Sequence, residues 1–295
     1  MQPPPRAAGP GLRRWRLDVA YDGRPFRGFA AQGGQPTVAG ALGAAIARTV
    51  RLAVPPPLVC AGRTDAGVHA LGQVLHVDLP DTFDADLAHA LNRQLAPTVV
   101  VRSAGAAPPG FDARRSAIWR RYRYLVWNAA VPDPLLAPLS WHVAEPLDRR
   151  AMQTAADPLI GEHDFRSFCR RPPGAGPDEP LIRRVLDVHW RVVPATADDG
   201  EARRSGVLLR LDVVASSFCH QMVRSVAAVL VDAGRGRASA ATVMELLAAR
   251  SRAGAPRPAP AHGLCLVGVG YPDALGSGEG PPPRSRALPG ADHAT

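Results

Sequence analysis

Over residues 14–21, Trp15, Leu17, Val19 and Tyr21 alternate with polar or small neighbours, the period-two pattern of a strand with one buried face. A glycine-bearing loop follows. Val38, Leu42, Ala45, Ile46 and Thr49 then recur at helical spacing behind Thr37, a residue able to cap the first turn. Pro55, Pro56 and Pro57 end that helix, and residues 58–62 read as a short buried strand running into a loop at 63–67. A second strand is predicted over 74–79, an Asp-capped helix over 84–94, and a β-branched strand over 98–102.

The theme returns in the second half of the chain. Strands are predicted at 119–128, 182–193, 207–215 and 263–271, and helices at 148–159, from Ser216 or Ser217 to Gly234, and at 240–250. Along 119–128 the period of two sets Tyr122, Tyr124 and Val126 on one face and Arg121, Arg123 and Trp127 on the other. Strands and helices in mixed order with hairpin-like returns predict an α+β fold with antiparallel sheets, in two similar halves at 13–110 and 111–272. Residues 1–12 and 273–295, rich in Pro, Gly and Ala without periodicity, are expected to be disordered tails, and 170–180 a loop of similar composition.

A chain of 295 residues that is 46% hydrophobic can build a core without covalent staples. Cys60, Cys169, Cys219 and Cys265 lie far apart, with no CxxC pair and no His at metal-ligand spacing. They therefore read as small buried side chains, with neither a zinc site nor a disulfide predicted. No apolar run approaches the roughly 20 residues needed to cross a bilayer, and the prolines near the start oppose a targeting helix, so a cytoplasmic protein is expected.

Charge changes the picture more. A formal net charge of +9 predicts attraction to polyanions, nucleic acid foremost. All 35 basic side chains are Arg, which a genome-wide nucleotide bias explains, yet guanidinium groups fork onto phosphates and stack on bases as ammonium groups cannot. Pairs such as Arg13 and Arg14, Arg114 and Arg115, Arg149 and Arg150, and Arg183 and Arg184 would together give phosphate binding that weakens steeply with salt.

The stretch Cys60-Ala-Gly-Arg-Thr-Asp-Ala-Gly-Val-His69 concentrates the candidate chemistry. Gly62 and Gly67 flank Arg63, Thr64 and Asp65, letting the backbone turn sharply and a substrate come close. In an extended segment positions i and i+2 share a side, so Arg63 is expected beside Asp65, keeping its charge when a base covers it. His220 and Arg224, four apart, are expected to share a helix face, with His220 touching RNA, playing a structural part or facing solvent, and His69 to hydrogen-bond within its loop.

The run from Gly62 to Ala70 with Gly72, Gln73 and Val74 resembles the signature of the TruA family of tRNA pseudouridine synthases. The likeness extends over roughly residues 15–272 and recurs in order at Tyr21-Asp-Gly23, Phe111-Asp-Ala-Arg114, Arg120-Arg-Tyr-Arg-Tyr124, His163-Asp-Phe165, Met222-Val-Arg224 and Gly263-Leu-Cys-Leu266. Departures fall at Phe29-Ala30-Ala31, where the family usually has Trp-Gln after the glycine, and at Ala39-Gly40. Both lie outside the signature loop and are expected to bear on RNA positioning.

The resemblance implies the pseudouridine synthase fold, two halves forming a central RNA-binding cleft. It implies isomerisation of uridine to pseudouridine in the tRNA anticodon stem-loop, at tRNA positions 38, 39 and 40, by a homodimer with one tRNA spanning both subunits and no cofactor or metal. Asp65 falls on the catalytic aspartate, Arg63 on its arginine partner, and Tyr122 on the tyrosine that stacks on the target base. Arg224 falls on a second arginine near the carboxylate and Leu264 on an apolar pocket wall. The residue types suit the reaction, which breaks the C1′–N1 bond, turns the uracil and rejoins it through C5. Asp65 could attack C1′ or C6 or assist a glycal route, and Tyr122 could stack and help remove the C5 proton. Three other readings compete: the same chemistry on another structured RNA, a catalytically silent RNA-binding module, and an Asp-dependent phosphotransferase or hydrolase. The last lacks DxDxT, GxSxG and P-loop motifs.

Overall fold

In the computed structural model, which describes residues 8–171, 174, 176, 178–194 and 206–275, the alternating segments become strands of one ten-stranded sheet. The strands are β1 (Leu12–Tyr21), β2 (Val59–Cys60), β3 (His69–Pro80), β4 (Val99–Ala106), β5 (Trp119–Ala129), β6 (Trp141–Val143), β7 (Gly161–Asp164), β8 (Ile182–Val192), β9 (Gly206–Ala215) and β10 (Leu264–Gly270). The α-helices among the described residues are α1 (Val38–Val50), α2 (Leu87–Leu95), α3 (Arg149–Ala156), α4 (Met222–Gly234) and α5 (Ala240–Ala249).

The main path of the sheet runs β4-β1-β3-β10-β5-β9-β8-β7, with β2 added to β3 and β6 to β5. Pairing is antiparallel except for β10 on β3 and β6 on β5. The α+β class matches the expectation, and the antiparallel strands on either side join because β10 inserts between β3 and β5. Its near-continuous apolar run Leu-Cys-Leu-Val-Gly-Val-Gly suits a strand with neighbours on both edges. Gly270 is required there because a side chain would collide with the Trp119 indole.

The period of two in β5 holds. Tyr122, Tyr124 and Val126 enter the main core, whereas Trp127 joins a small cluster with Ala129 and Leu136. In α1, Thr37 Oγ1 accepts from the Gly40 amide at 3.2 Å, and Leu42 and Ile46 are fully buried, each contributing about 2 kcal/mol of apolar burial. Helix α2 is capped by Asp86, whose carboxylate accepts from His89 N, so it begins later than expected.

Two expectations are corrected. Helix α4 begins at Met222, not at Ser216 or Ser217, because Gln221 sits in the left-handed region at φ 67° and no side chain caps the first turn. Cys169 and Cys219, expected to be free thiols, are joined in a disulfide: the β8–β9 hairpin returns the chain so that their Cα atoms lie 5.8 Å apart despite 50 residues of separation. Cys60 and Cys265 are free and buried. Of the expected tails, residues 1–7 and 276–295 lie outside the described residues, as do 172, 173, 175 and 177 of the 170–180 loop. No helix among the described residues is long and apolar enough to cross a membrane.

Candidate active site

The loop after β2 is held from behind by the end of β1, the segment after it and β3. Gly67, at φ 77°, donates its amide to Phe26 O at 3.3 Å, and Val68 N closes a turn onto Asp65 O at 3.1 Å. Thr64 is buried, its hydroxyl 2.8 Å from the Tyr21 hydroxyl, while its carbonyl accepts from Phe29 N at 3.0 Å. Gln73, fully buried on β3, donates to Gly62 O at 2.8 Å and to the Tyr21 hydroxyl at 3.3 Å. Burial pushes the Tyr21 hydroxyl well above the usual phenol value, so it remains a neutral hydrogen-bonding post. Phe29, where the departure from the family pattern is expected to bear on RNA positioning more than on chemistry, is buried beneath this loop, and its carbonyl accepts from Ala39 N at the start of α1.

Arg120 is the second fastening. Its buried guanidinium donates to Ala61 O at 3.2 and 3.0 Å, Ala117 O at 3.0 Å, Ser216 O at 2.7 Å and Arg114 O at 2.6 Å. It thereby ties the loop bearing Asp65 to the segment that leads into α4. Burial pulls this guanidinium below its ordinary value, since its charge is withdrawn from water.

From this frame Asp65 projects with its side chain one-fifth exposed and a side-chain nitrogen close to each carboxylate oxygen. Arg224 Nη1 donates to Oδ2 at 3.3 Å, and His220 Nε2 lies 3.2 Å from Oδ1. Arg224 is aimed by a second bond, Nε to Ala259 O at 2.7 Å. Tyr122 on β5 is buried, its ring edge-on to Phe218 with centroids 5.0 Å apart. Burial first, with Tyr21 and the Asp65 charge adding to it, drives the Tyr122 hydroxyl far above its ordinary value. Leu264, at the start of β10, is buried on the same sheet face, two residues from Leu266, which pairs directly with Tyr122.

Thus Asp65, Arg224 and Tyr122 converge, and Leu264 lies on the sheet face of Tyr122. Arg63 does not meet its expectation: among the described residues it forms no ion pair with Asp65, and its side chain is exposed. The extended-chain rule does not apply because β2 ends at Cys60 and a turn begins at Asp65. The place expected for Arg63 is taken by His220, which precedes α4 and is not on it. Arg120, Gln73 and Tyr21 brace the loop without a local pattern to announce it. His69 Nδ1 accepts from Gly23 N at 3.2 Å, fastening the Tyr21-Asp-Gly23 turn. Among the described residues no group of three or more His, Cys, Asp or Glu side chains is arranged to hold a metal ion.

A family model described as tRNA pseudouridine synthase matches residues 155–272. The chain is 44% identical over 267 residues to tRNA pseudouridine synthase A of Cutibacterium acnes, covering 88% of this chain and 90% of that protein. It is 45% identical over 266 residues to tRNA pseudouridine synthase A of Frankia casuarinae, covering 89% and 90%. The protein of the same name from Caulobacter vibrioides is 42% identical over 268 residues, 89% of this chain and all of that protein.

Proposed function

Since the chain belongs to the TruA family of tRNA pseudouridine synthases and is thus an isomerase of tRNA uridines, we propose that Asp65 is its nucleophile and the anticodon stem-loop its target. The observation that carries the assignment is the double hold on Asp65, a carboxylate on a braced loop with Arg224 at one oxygen and His220 at the other, beside a buried tyrosine.

In the reaction the C1′–N1 bond breaks, the uracil turns, and a C1′–C5 bond forms; the C5 proton leaves and N1 gains one. Asp65 supplies the nucleophilic oxygen, at C1′ or at C6, or assists a glycal route. Arg224 orients that carboxylate through its bond from Nη1. Tyr122 offers a ring for the flipped base, and Leu264 an apolar wall that excludes water. With its hydroxyl kept neutral by burial, Tyr122 acts as a stacking and hydrogen-bonding partner for the flipped base. Arg63, exposed and unpaired with Asp65, is placed to meet the RNA.

On this reading the halves at 13–110 and 111–272 flank the cleft, and two copies share one tRNA in the cytoplasm at tRNA positions 38, 39 and 40. The sheet face opposite Tyr122 supports pairing of subunits: exposed Leu71 and Leu139 border a hollow there with Leu125 and Arg123.

The test is incubation, with EDTA present, of the protein with an unmodified tRNA transcript bearing uridines on the 3′ side of the anticodon loop, followed by pseudouridine mapping. Native protein is expected to place pseudouridine there and Asp65→Asn none, at similar affinity for the transcript. Pseudouridine formed equally by Asp65→Asn would refute the assignment.

A further inference from the structure

The segment between β9 and α4 carries more anchors than a connection of its length needs. The Phe218 ring meets Tyr122 edge-on, Cys219 is bonded to Cys169, and His220 O accepts from Arg170 N at 2.9 Å. Gln221 Oε1 accepts from Arg252 Nη2 at 2.9 Å, and Met222 N closes onto Cys219 O at 3.1 Å. Gln221 holds the left-handed conformation that turns the chain into the helix, a conformation non-glycine residues adopt only when their surroundings impose it. The outcome of all these restraints is one contact, His220 Nε2 at 3.2 Å from Asp65 Oδ1.

We infer that His220 is a positioning residue for Asp65, fixing the rotamer of the carboxylate from the side opposite Arg224. The inference rests on Asp65 being the nucleophile. Arg224 alone reaches one oxygen at a long 3.3 Å and leaves the carboxylate free to turn about its last bond; an imidazole nitrogen held 3.2 Å from the other oxygen limits that freedom. His220 is 42% exposed, so solvent screens the pair and it contributes little to folding. Its effect therefore falls on geometry, where displacement of a reacting group by a fraction of an ångström is felt in the rate.

Single-turnover rates and dissociation constants on the unmodified transcript distinguish the cases, measured for native protein, His220→Ala, His220→Gln and Asp65→Asn. His220→Ala is expected to slow the chemical step by roughly tenfold with the dissociation constant unchanged. His220→Gln, whose amide N–H reaches near the Nε2 position, is expected to recover most of that loss. An unchanged rate in His220→Ala, a loss confined to RNA affinity, or equal losses in both variants would overturn the inference. Loss of turnover in Asp65→Asn alongside any of those results overturns it alone, whereas turnover by Asp65→Asn would overturn the nucleophile assignment and this inference together.

Discussion

Replacing Arg120 by Met removes a buried cation that serves four carbonyls through five hydrogen bonds. Met matches the length of the stem, so packing is largely kept. Each carbonyl left without its donor costs about 1 kcal/mol, roughly 4 kcal/mol in all. Against this, the variant no longer buries a charge that has no carboxylate among these bonds, which returns about 1 kcal/mol. The expected net loss is about 3 kcal/mol. With an unfolding slope of about 3 kcal/mol/M for a chain of this size, the urea midpoint should fall by about 1 M. Because two of these carbonyls, Ala61 and Ser216, belong to the segments before Asp65 and before His220, turnover should drop even at temperatures where Arg120→Met is fully folded, with tRNA affinity within a few-fold of native. Equilibrium urea unfolding followed by circular dichroism, paired with single-turnover kinetics, checks both parts. A stability change within about 0.5 kcal/mol, the range of ordinary surface substitutions, would refute the reasoning about the cage. A destabilised variant with native turnover would refute the link to the site.

Acid sensitivity follows from two buried imidazoles. Burial holds His69 and His76 below the ordinary value of 6.5, so the unfolded chain takes up protons first; stability is full above about 6.5 and declines as pH falls toward the folded-state values. Asp78, held low by its bond with Arg14, adds its own loss only below the ordinary carboxylate value of 3.8. The urea midpoint should accordingly be lower at pH 5 than at pH 7.5, and a flat profile over that interval would contradict the account. Thiol titration of denatured protein prepared without reductant is expected to find two reactive groups, Cys60 and Cys265, and four after reduction; four at the outset would mean that Cys169 and Cys219 are not bonded in solution.

What could be read from the sequence was local. Alternation in β1 and β5, helical spacing behind Thr37, and glycines around Asp65 each express a constraint between near neighbours, and each is found in the fold. Strands β6 and β7 escaped because three or four residues carry no period. The start of α4 was misplaced because serine capping was assumed where tertiary anchors instead force Gln221 into the left-handed region. Asp65, Tyr122 and Arg224 were reached through family landmarks. An extended-chain rule sets Arg63 beside Asp65 and a turn invalidates it, whereas His220 reaches Asp65 from the distant segment ahead of α4. The Cys169–Cys219 bond and the Arg120 cage likewise depend on which segments the sheet brings together.

The position of β10 bears on how the enzyme comes into being. The strand that couples β3 to β5 is the last strand in chain order, and its register with β3 pairs Cys265 with His69 and Leu266 with Ala70, far apart in the sequence. Such pairing closes the longest loop of any strand pairing in the sheet and is correspondingly slow. Before it forms, Asp65 and Tyr122 stand on separate, unfinished parts of the sheet, so on the proposed assignment the site is incomplete. Catalytic competence thus arrives in a single late step, so recovery of activity during refolding should trail recovery of helical signal and mark the moment at which the last strand is seated.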